Sequence, residues 1–215
     1  MVKFNLRRVL VMCLGIVIMG LGISLFKISL MGNDPSSAMV MALGDRLGID
    51  FSVMLIIMNS LFFLVEIFLG RRYIGIGTFV NWFCVGILAS FYTRLITSFW
   101  TVPNAFLPRL ALMGGGVLVL SLSASLYQTA DLGISPYDSL SIIMRDRLPV
   151  PYFWCRIFTD ATCSAICWVL GGIVGLGTLF CALGLGPFIH FFNRTVSEKL
   201  CGVQKQDTAA VSENS

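Results

Sequence analysis

The sequence predicts an all-α, polytopic membrane protein: six transmembrane helices in two inverted three-helix repeats, each with one short non-spanning helix. Three observations predict this. Hydrophobic residues make up 57% of the 215-residue chain and charged residues 12%, about half the charge of a soluble domain. The apolar residues fall in charge-free runs at 9–26, 73–93, 110–130 and 161–193. Each of the first three matches one crossing of about 20 residues, and the last supplies most of two. Finally, the chain duplicates itself. At a spacing of 101, Gly32 and Pro35 meet Gly133 and Pro136, and "DRL" at 45–47 meets "DRL" at 146–148. One residue is lost before "GIGT" at 75–78, which meets "GLGT" at 175–178 at a spacing of 100.

The elements follow in order. Residues 1–8 and the run after them resemble a secretory signal, but no small-x-small cleavage site follows, so the first span, about 9–30, is read as uncleaved. A short helix at 35–47 opens at Pro35, just after Asp34. Spans at about 51–69 and 73–96 complete a first repeat, 1–98. An extracytoplasmic connector, 99–109, leads to a second repeat, 110–200. It holds spans at about 110–130, 152–170 and 173–193 and a short helix at 136–147. There Ser135 stands at the cap, Pro136 at the first helical position and Asp138 at the acidic place of a capping box. A helix of 12 residues reaches only about 18 Å, too short for a core about 30 Å thick. Residues 201–215 read as a disordered cytoplasmic tail.

With a cytoplasmic N-terminus, only Lys27, Arg46, Arg94 and Arg109 of the fifteen Lys and Arg residues fall outside. That satisfies the positive-inside rule and places both termini in the cytoplasm. Three spans is an odd number, so the second copy enters from the opposite side and the repeats are inverted; short helices that crossed would instead give four spans per half and parallel repeats, which their length argues against. Inverted repeats are common in secondary transporters, with sites at the repeat interface beside short or broken helices.

The pattern "LGISPYDSL" (132–140), a span ending in "LGG", then "GLGTLFCALGLGPFIHFF" (175–192) resembles the YczE/YyaS/YitT group of small bacterial membrane proteins. Gly133, Ser135, Pro136, Asp138, Gly175, Gly177 and Thr178 match that group's motifs, with Tyr137 where Trp is usual. The first half, "MGNDPSSAM" (31–39), departs further: Asp34 precedes the proline and Ser37 stands where the motif's aspartate falls. The resemblance implies a multi-pass protein of the bacterial cytoplasmic membrane and lends no reaction.

Asp160 is the sharpest candidate for function. It lies halfway along the fifth span, where a carboxylate is expensive unless paired or facing water. Arg156, one turn earlier, is its natural partner. Asn59 corresponds to Asp160 across the duplication and is a second candidate wall of a central cavity. Glu66 is expected to reach the interface and pair with Arg71 and Arg72, with a role in solute binding as the alternative. Asn81, Asp138 and Asp34 complete the substrate-binding candidates, Asp138 and Asp34 with capping as the competing role; Gln128 and His190 are weaker. Ser135, Pro136 and Pro35 are structural caps, and Gly75, Gly77, Thr78, Gly175, Gly177 and Thr178 are helix-packing residues.

No HExxH, GxSxG, Walker or dinucleotide motif occurs, so no enzyme activity is expected. The seven cysteines are an odd number in apolar settings and read as packing residues. No cofactor, metal or nucleic acid is expected. The expected partners are the lipid bilayer, an unidentified small-molecule solute and, as an option, a second copy in a homodimer. The leading functional expectation is a carrier for a small polar or amphiphilic solute, with proton coupling through Asp160 as an option. The alternatives are a non-transporting scaffold or accessory protein, and the substrate-binding subunit of a partner-energised transporter. A dry, closed interior would favour a scaffold; a polar cavity between the halves would favour transport.

Overall fold

A computed structural model describes residues 6–100 and 105–201. The proposed tail beyond residue 201 and the middle of the connector lie outside the described residues. The described chain is helical, in the order α1 (Leu6–Ser29), α2 (Pro35–Leu47), α3 (Phe51–Leu69), α4 (Ile76–Phe99), α5 (Phe106–Thr129), α6 (Pro136–Arg147), α7 (Tyr152–Val169), α8 (Leu176–Phe192) and a terminal turn, α9 (Glu198–Cys201). Helices α1, α3, α4 and α5 are long and apolar enough to cross a membrane. Helix α7 carries Arg156 and Asp160 within its 18 residues, and α8 has 17 before a π-helical turn, Asn193–Ser197.

Both short helices begin and end where their chemistry requires. In α6 the Ser135 hydroxyl accepts the Asp138 N–H at 3.2 Å and donates to Asp138 Oδ2 at 2.8 Å. In α2 the cap is Asp34, whose Oδ2 accepts the Ser37 N–H at 3.0 Å. Carboxylate and hydroxyl have thus exchanged places between the halves: Asp34 stands at the position of Ser135, and Ser37 at that of Asp138. The third apolar segment starts later than its charge-free run suggests. Arg71–Tyr73 forms a 3-10 turn, and α4 begins at Ile76 after Gly75, whose N–H donates to Thr78 Oγ1 at 3.1 Å.

Helix α1 packs along α5 at the centre, with α4 against α1 and α8 against α5. The short helices cross over: α2 packs on α7 and α6 on α3. The halves are joined at two junctions by backbone hydrogen bonds, with Ile134 N–H adding a bond to Tyr73 O at 3.0 Å in the first. Gly77 N–H donates to Leu132 O at 2.8 Å, and Gly177 N–H donates to Met31 O at 2.9 Å. The turns that receive them contain Gly133 (φ 117°) and Gly32 (φ 104°), values that side chains rarely tolerate. A Cβ on Gly133 would lie 2.7 Å from the Gly75 backbone, and one on Gly32 2.7 Å from Thr178 Oγ1. Glycine is therefore needed there for both conformation and space.

Candidate functional site

A cavity of about 650 Å³ lies between the two halves, and all of α1 to α8 contribute to its wall. Its polar lining includes Asp34, Asn59, Asn81, Asp138, Arg156 and Asp160. These are six of the seven substrate-binding candidates, drawn from α3, α4, α6 and α7 and the cap of α2. The apolar lining includes Met19, Ile23, Leu55, Val85, Leu120 and Leu185. At one end Leu55, Val85 and Leu120 are buried; at the other, Gln128, Tyr152, Phe153 and His190 line the cavity and are exposed. The cavity therefore opens where α5 and α8 end and α7 begins.

Arg156 organises the charged wall. Its Nε lies 3.4 Å from Asp160 Oδ1, and its Nη1 donates to Asp138 Oδ1. The guanidinium also sits over the Tyr137 ring, 5.0 Å from the centroid, a cation–π arrangement. The Tyr137 hydroxyl donates to Asp160 Oδ1 at 2.5 Å. Asp160 is 3% exposed. It is sustained at that depth by one full charge and one hydroxyl, as a carboxylate in an apolar setting requires. Below this group Ser141 and Thr159 are 3.0 Å apart, and Thr159 donates to Arg156 O at 2.9 Å, tying α6 to α7.

On the facing wall the chemistry is sparse. Asn59 is 5% exposed, lines the cavity and makes no hydrogen bond with any described residue. Asn81 reaches only the Met19 sulfur, at 3.5 Å. Asp34 Oδ1 has no hydrogen-bond partner, its other oxygen being taken by the α2 cap.

Glu66 departs from expectation. It is fully buried rather than interfacial, lies outside the cavity, and neither carboxylate oxygen has a hydrogen-bond partner. Ser139 of α6 is the polar side chain beside it, but its hydroxyl donates to Pro136 O at 2.8 Å. Arg72, one of the two expected partners, is bonded to Asp146 together with Tyr73, and Arg145 joins at 3.1 Å. Helix α6 lies over the end of α3 and covers Glu66, a tertiary contact that no local spacing reveals.

Tyr137 is the residue that sequence reasoning missed. Its signal was present: an aromatic residue inside the cap motif, in a chain with a mid-span aspartate needing a donor. The packing residues act as docking elements. Thr78 Oγ1 donates to Ile134 O at 2.7 Å, across the halves, whereas Thr178 Oγ1 has no partner.

Comparison with known proteins agrees with the resemblance. The chain belongs to the family of unknown function DUF6198, which matches residues 6–194. An uncharacterised protein of Haemophilus influenzae is 24% identical over 186 residues, spanning 86% of this chain and 83% of its own. The uncharacterised membrane protein YczE of Bacillus subtilis is 26% identical over 178 residues, 82% of this chain and 81% of its own. The uncharacterised protein YyaS of the same organism is 23% identical over 186 residues, 83% and 89% respectively. No solved structure matches the chain. The apolar helices and the membrane-protein relative together identify an integral membrane protein.

Proposed function

We propose that this member of DUF6198 is a six-span carrier for a small polar or amphiphilic solute, built from two inverted repeats with both termini in the cytoplasm. The cavity carries the reading. Six polar candidates, scattered from residue 34 to residue 160, converge on one chamber between the halves. A scaffold has no use for a chamber of about 650 Å³ holding a buried carboxylate.

The repeat reading draws support from the reciprocal contacts. Each GxGT segment docks on the turn of the other half, and each short helix packs on a long helix of the other half. Under this topology α7 and α8 span the membrane, α2 and α6 enter from opposite faces without crossing, and the cavity opens to the cytoplasm. Outward opening then follows if the halves exchange conformations: α4 loosens from α3 while α8 closes on α7. The short helices bring the Asp34 and Ser135 caps to mid-depth, where solute binding biases that exchange.

The test is uptake into proteoliposomes of purified protein, across a panel of cationic, anionic and neutral solutes, with a thermal-shift screen of the same panel. At least one solute should accumulate inside and raise the melting temperature, and Asp160→Asn should cut its uptake at least tenfold. If nothing moves or binds, and Asp160→Asn cells match wild type, the carrier reading fails.

A further inference from the structure

We infer that the cavity takes a lipophilic organic cation, a quaternary or protonated amine with an apolar body, and exchanges it for a proton at Asp34. The inference rests on the carrier reading and names its cargo and coupling.

The charge inventory comes first. Three carboxyl groups line the chamber, Asp34, Asp138 and Asp160, against one guanidinium, Arg156. Arg156 is already divided between Asp138 and Asp160. An anionic solute would meet three carboxyl groups and a single guanidinium already paired with two of them. A cation meets an excess of acidic groups in a low-dielectric chamber, where unpaired charge is strongly disfavoured. Asp34 is the group left over. One of its oxygens caps α2 and the other has no hydrogen-bond partner.

A second observation points independently to a ligand. Asn59 is buried against the cavity with its amide unpartnered. Its amide faces the cavity without a protein partner, and a bound polar group or water supplies one. The charge of either kind of cation meets Asp34, and a protonated amine also has an N–H to offer the amide oxygen. The rest of the chamber suits the body of such a molecule: an apolar wall from Met19 to Leu185, with Tyr152 and Phe153 at the opening as ring faces for a passing cation.

Exchange follows from charge balance. In the empty carrier a proton on the Asp34 carboxyl cancels one of the two excess negative charges; an entering monovalent cation takes its place. The O–H bond breaks, the proton leaves to the aqueous side, and the carboxylate pairs with the cation. The chamber's net charge is unchanged, which lets both loaded forms reorient in a bilayer. The groups facing Asp34 are Ser37 on its own helix, Arg156, Asp160 and Cys163 from α7, and Cys181 from α8.

Tetraphenylphosphonium and ethidium test the idea on the purified full chain, with benzoate and a neutral sugar as contrasts. In weakly buffered solution each bound cation should release one proton. The dissociation constant should tighten about tenfold per pH unit over the range where Asp34 holds its proton, the slope one linked proton imposes. Asp34→Asn keeps a good helix cap and should abolish both proton release and pH dependence. Asp146→Asn, outside the chamber, should change neither. Uptake of benzoate or the sugar with no cation binding would overturn the cation assignment while leaving the carrier reading intact. Cation binding without proton release, or release that survives in a folded Asp34→Asn protein, would overturn the exchange. Silence across all four probes would overturn the inference; silence across the wider panel as well would overturn the carrier reading.

Discussion

Replacing Arg156 with Met tests the charged wall most directly. The substitution keeps much of the side-chain volume and removes the one cation serving two carboxyl groups. The magnitude follows from geometry. At 3.4 Å from Asp160, a unit-charge pair at an effective dielectric near 20 is worth about 5 kcal/mol before desolvation is subtracted. The side chain of Asp160 is 4% exposed, while those of Asp138 and Arg156 are 18% and 25% exposed. The Asp138 contact is therefore weakened by solvent and the Asp160 contact hardly at all. Breaking a buried pair by removing one partner costs about 3–5 kcal/mol, because the other charge stays behind. For a chain of this size, that lowers the melting temperature by roughly 6–20 °C.

The assay is thermal unfolding in detergent at pH 7.5, at one fixed scan rate because membrane proteins commonly unfold irreversibly. Asp160→Asn alone should cost much less, about 1–2 kcal/mol. Its amide oxygen still accepts from Tyr137, and Arg156 keeps Asp138. The double variant, Arg156→Met with Asp160→Asn, removes one stranded charge and should melt above the Arg156→Met single, with a coupling of about 0.5–3 kcal/mol. If Arg156→Met melts within about 2 °C of wild type, or the double falls below it by the sum of the singles, Arg156 does not neutralise this wall.

Three further outcomes follow from the same structure. Thr78→Val strips the 2.7 Å bond to Ile134 O and the acceptor for Gly75 N–H, and should cost about 1–2 kcal/mol. Thr178→Val should leave the melting temperature nearly unchanged, since its hydroxyl has no partner; equal shifts would refute the asymmetry. Glu66→Met removes a fully buried carboxyl group whose oxygens have no partner, and should raise stability by about 1–3 kcal/mol; a lower melting temperature would reveal an unseen partner. For Asp146, desolvation works against ionisation, but hydrogen bonds from Tyr73, Arg72 and Arg145 outweigh it and hold the group below its ordinary value of 3.8. A lowered carboxyl value stabilises the fold above the unfolded value and loses that contribution as pH falls through the folded one. The melting difference between wild type and Asp146→Asn should thus be steady from pH 5 to 8 and shrink below about pH 4; a difference that grows in acid would contradict the assignment.

The legible parts of the fold were those set by local chemistry. The short helices, placed at 35–47 and 136–147 from their prolines and caps, form at Pro35–Leu47 and Pro136–Arg147. The Arg156–Asp160 contact was legible from its spacing of one helical turn, and the convergence of Asn59 and Asp160 from the duplication. What escaped depends on helices meeting at long range. Asp138 shares Arg156 across 18 residues, Tyr137 reaches Asp160 across 23, and α6 covers Glu66 from the other half. The late start of α4 escaped for a different reason. The charge-free run begins at Tyr73, but Arg71–Tyr73 is a 3-10 turn, Gly75 N–H is taken by Thr78 Oγ1, and Gly77 N–H in the first turn of α4 is given to Leu132 O.

The two halves have diverged in a way that separates frame from site. At the docking points they share one contact: GxGT donates a glycine N–H to the turn of the other half at 2.8 and 2.9 Å, with further bonds from Thr78 Oγ1 to Ile134 O and from Ile134 N–H to Tyr73 O at the first of the two. Inside the chamber they differ. At the 101-residue offset Arg156 faces a history of Leu55, Tyr137 of Ser36 and Asp160 of Asn59, and the cap pair Ser135 and Asp138 is reversed as Asp34 and Ser37. On the carrier reading proposed above, the shared glycine contacts keep one frame common to both halves, while one charged wall opposite a sparse one gives a bound solute a fixed orientation. The reversed cap is the telling case. It leaves each short helix capped, yet places a carboxyl group on each side of the chamber, with a guanidinium on one side alone.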